Sequence, residues 1–127
     1  MINIVVITHG ELAFGFKSAV ELLSGESQKI YYLSIMPSDD ENILSTKLNE
    51  LNLDSNTIIF TDIQGGTPHK VATIYQMNNE KVEVITGVNL PLLINTILLR
   101  ETVKSNSDLL KLVMVERDSY ISNNMTD

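Results

Sequence analysis

The sequence contains no cysteine and no tryptophan, and it has few basic residues. Without cysteine, the chain cannot form disulfides, use a thiol nucleophile or bind zinc through thiolates. Nine Lys and Arg against sixteen Asp and Glu give a formal net charge of -7. A phosphate backbone repels such a chain unless its few cations cluster, and the lysines here are scattered. Nucleic-acid binding is therefore not expected.

Long hydrophobic runs are also missing, since no apolar segment approaches the roughly 20 residues that a membrane-spanning helix needs. Met1 leads directly into a strand-like run, with no basic region or small-residue cleavage site that would resemble a signal peptide. The composition, 43% hydrophobic and 20% charged, is ordinary for a globular protein. We therefore expect a cytoplasmic protein that forms one domain.

Apolar runs that suit strands alternate with amphipathic patterns that suit helices. The predicted strands are residues 2–7, 30–35, 57–61, 82–85 and 109–115. The predicted helices are residues 11–23, a segment opened by the capping-box pair Ser38 and Glu41, a segment that begins near Pro68, and residues 90–99. This alternation with short connections predicts an α/β fold, an open and mostly parallel doubly wound sheet with helices on both faces.

Two of these helices carry more specific expectations. The first should face the core through a stripe of Leu12, Phe16, Ala19, Val20 and Leu23, and Gly25 should end it. The helix at 90–99 is apolar around nearly its whole circumference, which indicates burial in its own core or against another subunit. We expect a subunit contact there.

Three strand exits have unusual residues: Thr8-His9-Gly10, then residues 61–69, and then residues 86–91 with Asn89. In a doubly wound sheet, ligands and chemistry collect at the carboxyl ends of the strands. Because parallel strands bring their carboxyl ends to one edge, we expect these three exits to lie close together.

His9 and Asp62 would form a nucleophile and its orienting group. The free ring nitrogen of an imidazole is a nucleophile near neutral pH. A carboxylate at Asp62 would accept a hydrogen bond from the other ring nitrogen and fix the tautomer of His9.

The same edge offers a cradle for an anion. Gly65, Gly66 and Thr67 place backbone N–H groups and a hydroxyl at a helix start, where the helix dipole favours negative charge. Gly10, at the start of the first helix, supplies a second such end beside His9.

Each of these features also has a purely structural interpretation. His9 would then be a polar loop residue, Asp62 would cap a turn, and the Gly-Gly-Thr-Pro segment would be a tight connection. His69 would be a surface residue in the first helical turn. A metal site of His9, Asp62 and His69 lacks any His-x-x-His spacing in its favour, so no metal is predicted.

Three segments together indicate a known family: ITHGELAFGFKSAVELLSGE, IIFTDIQGGTPHKVA and VEVITGVNLPLLINTIL. They resemble, in order and at the expected spacing, the enzyme IIA domain of the mannose-type family of the bacterial phosphoenolpyruvate-dependent sugar phosphotransferase system. The resemblance covers residues 1–115 and leaves residues 116–127 as a polar tail or short helix.

The resemblance implies a phosphoryl carrier without a cofactor. By this comparison His9 accepts a phosphoryl group from the phosphocarrier protein HPr and donates it to a separate IIB component. Asp62 occupies the position of the aspartate that hydrogen-bonds the active histidine. Thr67 stands where a hydroxyl contacts the phosphate.

The resemblance further implies a homodimer, in which the final strand at 109–115 can be antiparallel and exchanged between subunits. The sugar would be bound elsewhere, by membrane IIC and IID components. Which sugar that is does not follow from the sequence.

The chain departs from the family pattern beside the glycine pair. Gln64 replaces a residue that is usually large and hydrophobic or aromatic, and His69 stands where phenylalanine is common. Together with Asn89, these residues would line the rim where partners dock. His69 would in addition be able to bring a positive charge near the phosphate.

Three alternatives stay open at this stage. A related phosphotransfer subunit serves dihydroxyacetone kinase and would need a different acceptor. A regulatory binding module of the same fold would form complexes but take no phosphate. A metal-dependent hydrolase would require a bound metal.

Overall fold

Four parallel strands form one sheet in the computed structural model, which describes residues 1–125. In chain order the strands are β1 (Asn3–His9), β2 (Ile30–Ile35), β3 (Thr57–Thr61) and β4 (Val82–Thr86). The helices are α1 (Leu12–Ser24), α2 (Glu41–Glu50), α3 (Thr67–Asn78), α4 (Leu90–Leu99) and α5 (Asn106–Val115). The spatial order is β2-β1-β3-β4.

The order of the strands places a topological switch point between β1 and β3. From β1 the chain crosses to β2 on one side, and it later returns to β3 on the other side of β1. Ile7 pairs with Leu33 of β2 and with Thr61 of β3, and Thr61 pairs in turn with Thr86 of β4. The carboxyl ends of the four strands therefore lie along one edge, as the sequence predicts.

The helices cover both faces of this sheet, which confirms the predicted fold class. Alternate residues of the central strands point to opposite faces, and both faces are buried. One face packs against α1, α4 and α5, and its core includes Ile4, Val6, Phe60, Val20, Leu93 and Leu109. The other packs against α2 and α3, and its core includes Val5, Ile7, Ile59, Leu44, Leu48 and Val71.

The predicted fifth strand at 109–115 is wrong, because these residues lie in α5. The Ser105 hydroxyl caps this helix by accepting a hydrogen bond from the Asp108 N–H at 3.1 Å. Leu109 and Val113, one helical turn apart, are fully buried. A strand would have placed Lys111 on the same face between them. Helical periodicity therefore decides the segment, and it supplies no strand for exchange between subunits.

The predicted tail begins with a 3₁₀ turn at Arg117–Tyr120. The Tyr120 hydroxyl donates a hydrogen bond to the Val113 carbonyl at 2.7 Å. This contact ties the turn to α5, while residues 126 and 127 of the tail lie outside the described residues.

Two predictions about α1 and α2 need correction. In α1 the fully buried residues are Ala13 and Val20, whereas Leu12 and Leu23 of the expected stripe are 48% and 64% exposed. The cap of α2 is Asp40, whose carboxylate accepts the Ile43 N–H at 2.9 Å, and not Ser38. Asp40 directly precedes the helix, where a side-chain acceptor can reach the first free N–H groups.

Helix α4 contributes to its own core and also has an outward apolar surface. Leu92, Leu93 and Ile97 are buried against the sheet. Pro91 and Leu98 are exposed on the other side. The fold of a single chain thus buries one side of α4 and leaves the apolar residues on its other side exposed.

Arg100 anchors the end of α4 at the amino-terminal edge of the sheet. Its side chain is 1% exposed and donates hydrogen bonds to the Ile2, Lys29 and Gln28 carbonyls at 3.1, 3.2 and 2.6 Å. These carbonyls precede β1 and β2. Arg100 therefore holds the two strand starts together, at the edge opposite His9.

Replacing Arg100 should destabilise the fold. Arg100→Leu leaves three carbonyls without their charged donor, so we expect the free energy of unfolding to fall by about 3 kcal/mol. Urea denaturation measures this difference. The control is Arg117→Leu at an exposed arginine that donates to the Met114 carbonyl at 3.0 Å, for which we expect a loss within about 0.5 kcal/mol. Equal losses in both variants would contradict the anchoring role.

Candidate functional site

His9 and Asp62 meet at the switch point of the sheet. His9 is the last residue of β1, and Asp62 directly follows β3, the neighbouring strand. The His9 Nδ1 and the Asp62 Oδ2 are 2.8 Å apart, and the same oxygen accepts the His9 backbone N–H at 2.9 Å. The predicted pair is therefore in contact, and the strand register sets its geometry.

The two side chains differ in exposure. The His9 side chain is 45% exposed, whereas that of Asp62 is only 11% exposed. A partner protein can thus reach the imidazole while the carboxylate stays beneath it. This arrangement suits an exposed nucleophile with a shielded orienting group.

Asp62 is held in its ionised form. Burial alone would raise the pKa of this carboxyl group, but hydrogen bonds from the His9 backbone, the His9 ring and the Ile63 N–H together lower it. The Ile63 N–H reaches the second oxygen, Oδ1, at 2.9 Å. Both carboxylate oxygens therefore accept hydrogen bonds from protein donors, and the group is charged at neutral pH.

The ionised carboxylate decides the tautomer of His9. Because a carboxylate can only accept hydrogen bonds, the His9 Nδ1 must carry the proton. In the neutral ring the lone pair then lies on Nε2, on the side away from Asp62. Nε2 is thus the ring nitrogen that is free to act as a nucleophile, as the sequence predicts for His9.

Gly66 packs directly against this ring. A Cβ placed on Gly66 would lie 2.7 Å from the His9 Cε1 and 3.2 Å from Nε2. The backbone φ of Gly66 is -79°, which any residue adopts, so the ring and not the backbone requires glycine here. Gly66 is therefore part of the wall of the site.

The other two predicted glycines have protein acceptors for their N–H groups. Gly10 donates to the Ile35 carbonyl at 2.9 Å, and Gly65 donates to the His69 Nδ1 at 3.0 Å. Both have a positive φ, 58° and 85°, in the region that favours glycine. The structure shows that Gly10 and Gly65 shape their turns, whereas their contact with a phosphate stays a prediction.

The start of α3 is the part of the predicted cradle that stays open. Its cap residue is Gly66, and no side chain caps this end in the described part of the chain. Thr67 is the first helical residue and is partly exposed. Uncapped N–H groups, a helix dipole and a nearby hydroxyl together favour an anion.

The third strand exit is tied to the second by backbone hydrogen bonds. The Thr61 carbonyl accepts from both the Gly87 and the Val88 N–H groups at 3.0 Å. Asn89 caps α4, with its Oδ1 accepting the Leu92 N–H at 3.0 Å. The structure thus gives Asn89 a helix-capping role, whereas its predicted role in docking is untested.

A shallow groove beside His9 is a feature that the sequence analysis missed. It has a volume of about 310 Å³ and is lined by His9, Gly10, Ile35, Met36, Pro37 and Asp39. In the sequence, Pro37 at the exit of β2 could have indicated this groove. On the other side of the site, Gln64 is exposed and Ile63 is 58% exposed.

Within residues 1–125, neither a cluster of three potential metal ligands nor a membrane-spanning helix occurs. No three His, Asp or Glu side chains there are grouped so that they could hold a metal ion. None of the described helices combines the length and apolar character needed to cross a bilayer.

A family model described as "PTS system fructose IIA component" matches residues 3–113, where PTS denotes the phosphotransferase system. The "PTS system mannose-specific EIIAB component" of Escherichia coli (strain K12) is 30% identical over 117 residues, or 89% of this chain. The chain spans only 36% of the length of that relative. The "PTS system fructose-specific EIIA component" of Bacillus subtilis (strain 168) is 23% identical over 124 residues, which are 94% of this chain and 85% of the relative.

Solved structures show the same architecture. The phosphotransferase system component EIIA from Streptococcus agalactiae superposes with a TM-score of 0.91 at 25% identity, over 97% of each chain. The mannose/sorbose-specific IIA subunit from Enterococcus faecalis superposes with a TM-score of 0.87 at 20% identity, over 98% of this chain and 96% of its own, and supports the fold alone.

The lowered pKa of Asp62 predicts a pH-dependent contribution to stability. Folding lowers this pKa below its ordinary value of 3.8, so the stabilisation is fully present above that pH and is lost as the pH falls through the folded value. Asp62→Asn removes this titration. We expect the variant to be less stable by about 1–3 kcal/mol at neutral pH and the difference to shrink in acid.

Urea denaturation at a series of pH values measures this difference. Asp118→Asn, at an exposed carboxylate in the 3₁₀ turn, controls for the removal of one negative charge. A difference between parent and Asp62→Asn that stays constant with pH would contradict the assignment.

Proposed function

Because this chain belongs to the mannose- and fructose-type IIA family of the sugar phosphotransferase system, we propose that it carries a phosphoryl group on the Nε2 of His9. One observation carries the proposal. The 2.8 Å hydrogen bond between Nδ1 and Asp62 leaves the lone pair of an exposed imidazole on Nε2.

The transfer step needs little from the protein beyond alignment. The Nε2 lone pair attacks the phosphorus, and an Nε2–P bond forms as the donor's bond to phosphorus breaks. The electron pair of that bond stays with the donor atom. No proton has to leave His9, because Nδ1–H continues to donate to Asp62. Discharge reverses these steps toward an acceptor nucleophile.

Asp62 would support the charged ring that results. Phosphorylation of the neutral imidazole at Nε2 gives the ring positive character, and the carboxylate 2.8 Å from Nδ1 offsets that charge. The effect holds the ring in one orientation in both the free and the phosphorylated state. Positioning and charge stabilisation of this kind are the main protein contributions to phosphoryl transfer.

The phosphoryl oxygens would lie at the start of α3. Thr67 and the uncapped N–H groups of this helix follow Gly66, which contacts the His9 ring. Gly10 and Gly65 would shape the two turns that border this position. An anion at such a helix end is stabilised by N–H groups and by the helix dipole.

The family and the exposed rim support a proposal about the partners. We propose HPr as the donor, a IIB component as the acceptor, and the cytoplasm as the place of the exchange. The groove beside His9 and the rim of Gln64, His69 and Asn89 would contact these proteins in turn. Membrane IIC and IID components would then be reached only indirectly.

We also propose that the chain forms a homodimer through the outward face of α4. A groove of about 340 Å³ lies there, lined by Leu23, Leu90, Pro91, Ile94, Asn95 and Leu98. Leu23 and Leu98 are 64% and 60% exposed, so a single chain leaves this apolar surface uncovered. Contact with a second copy would bury it.

Phosphorylation should depend on His9 alone. After incubation with phosphoenolpyruvate, enzyme I and HPr, we expect intact-mass analysis to show one acid-labile phosphoryl group on the parent and none on His9→Ala. The variant keeps His69, the only other histidine, as an internal control. An unphosphorylated parent, with both donors shown to be active, would instead favour a regulatory binding module.

Asp62→Asn should slow phosphorylation while leaving His9 in place. An asparagine has one carbonyl oxygen, so its amide group must face either the Ile63 N–H or the donors of His9. Facing His9, it would donate to Nδ1, move the ring proton to Nε2 and block the nucleophile. We expect a rate about 10- to 100-fold below that of the parent, as the loss of a charge-assisted hydrogen bond predicts.

Rapid-quench phosphorylation by phospho-HPr measures this rate, with folding of the variant checked by circular dichroism. Transfer by Asp62→Asn at the parent rate would show that Asp62 does not orient His9.

A further inference from the structure

His69 closes the turn that borders the candidate nucleophile. Its Nδ1 accepts a hydrogen bond from the Gly65 N–H at 3.0 Å, and its side chain is half-buried. The next residue of the turn is Gly66, which packs against the His9 ring. The His69 side chain is thus linked to the His9 ring through two consecutive glycines.

The close contact between Gly66 and the His9 ring explains why the side chain of His69, four residues after Gly65, holds this turn. Helices are commonly capped by a side chain at the cap position itself. Here that position is Gly66, where even a Cβ would lie 2.7 Å from the His9 Cε1. The cap position therefore cannot carry a polar side chain while His9 keeps its place.

His69 holds the turn from inside the helix, by accepting the N–H of Gly65, the residue before the cap position, and leaves the first helical N–H groups uncapped. It is the third residue of α3, the position from which a side chain reaches back to a preceding N–H in a capping box. The Lys70 N–H donates to the Gly66 carbonyl at 3.0 Å, which is the first helical hydrogen bond of α3 and leaves Gly65 to the His69 side chain. Gly65 has a φ of 85°, so the turn itself is made of residues with wide conformational freedom.

We propose that His69 is a positioning residue for phosphoryl transfer, which acts as a neutral acceptor that fixes the Gly65–Gly66 turn against the His9 ring. This inference rests on the proposed function. Without this hydrogen bond between Gly65 and His69, which we call the clamp, the turn loses its side-chain restraint, and the His9 ring loses a fixed contact beside Cε1 and Nε2. The orientation of Nε2 then becomes less defined.

This role differs from that of a cation beside the phosphate. A protonated imidazole donates from both nitrogens and cannot accept from the Gly65 N–H. The observed contact therefore requires an unprotonated Nδ1, and His69 acts through Gly65 rather than by charge.

The test uses phosphoramidate, a small donor that needs no docking partner. An Nε2–P bond forms on His9 as the P–N bond of the donor breaks and ammonia leaves. Rates are compared for the parent, His69→Leu, His69→Asn and His69→Gln by intact-mass analysis. Leucine has no hydrogen-bond acceptor. Asparagine carries its Oδ1 on Cγ, as histidine carries its Nδ1. Glutamine places its amide group one bond further from the backbone.

We expect His69→Leu and His69→Gln to be about three- to tenfold slower than the parent, and His69→Asn to stay within about twofold. Repeating the rates with phospho-HPr should lower the maximal rate in the slow variants more than it changes the half-saturating concentration. A parent rate in His69→Leu would overturn the inference. Rescue by glutamine rather than asparagine would do so too, because it would place the role at Nε2.

A second measurement tests the contact without any phosphoryl transfer. In protein labelled with ¹⁵N, a coupling across the hydrogen bond should connect the Gly65 amide nitrogen with the His69 Nδ1. Its absence in the parent would overturn the clamp. If the parent takes no phosphoryl group, both the proposed function and the role of His69 are overturned. If the parent is phosphorylated and the variants react at the same rate, only the positioning role is overturned.

Discussion

The hydrogen bond between the Asp62 carboxylate and the His9 Nδ1 is the interaction on which the rest of the site depends. It is 2.8 Å long and joins the carboxyl ends of two neighbouring parallel strands. The same carboxylate oxygen holds the His9 backbone N–H, so the ring and the main chain are fixed by one group. Because the strand register brings the two residues together, the core that sets the register also positions the His9 ring. Substitutions in the core that loosen β1 or β3 would therefore also disturb the position of the His9 ring, even when they lie far from this edge of the sheet.

The proposed function requires an exposed group that takes up and releases phosphate, and a rigid support beneath it. A phosphoryl carrier must accept a group and release it again, so its nucleophile has to be exposed and its charge only partly neutralised. The His9 side chain is 45% exposed while Asp62 is 11% exposed, which divides these tasks between the two residues. The net charge of -7 gives the chain no general attraction for phosphate. In the proposed function, local donors at the start of α3 supply it.

Much of this arrangement follows from the sequence, and the parts that do not have physical reasons. Parallel strands bring their carboxyl ends together, so the proximity of His9 and Asp62 is predictable from the alternation of elements. The apolar run at residues 109–115 predicts a strand, but the burial of Leu109 and Val113 at helical spacing shows a helix. The clamp by His69 depends on the space that the His9 ring takes beside Gly66, which is a tertiary contact. No local pattern reports such a contact.

The most direct test of the account is to locate the phosphoryl group on the imidazole. Long-range ¹H–¹⁵N correlation spectra of ¹⁵N-histidine-labelled protein, recorded after phosphorylation, distinguish the two ring nitrogens and show which one is coupled to phosphorus. The account predicts phosphorus on the Nε2 of His9, with the proton retained on Nδ1 beside Asp62. Phosphorus on Nδ1, or on His69, would contradict it.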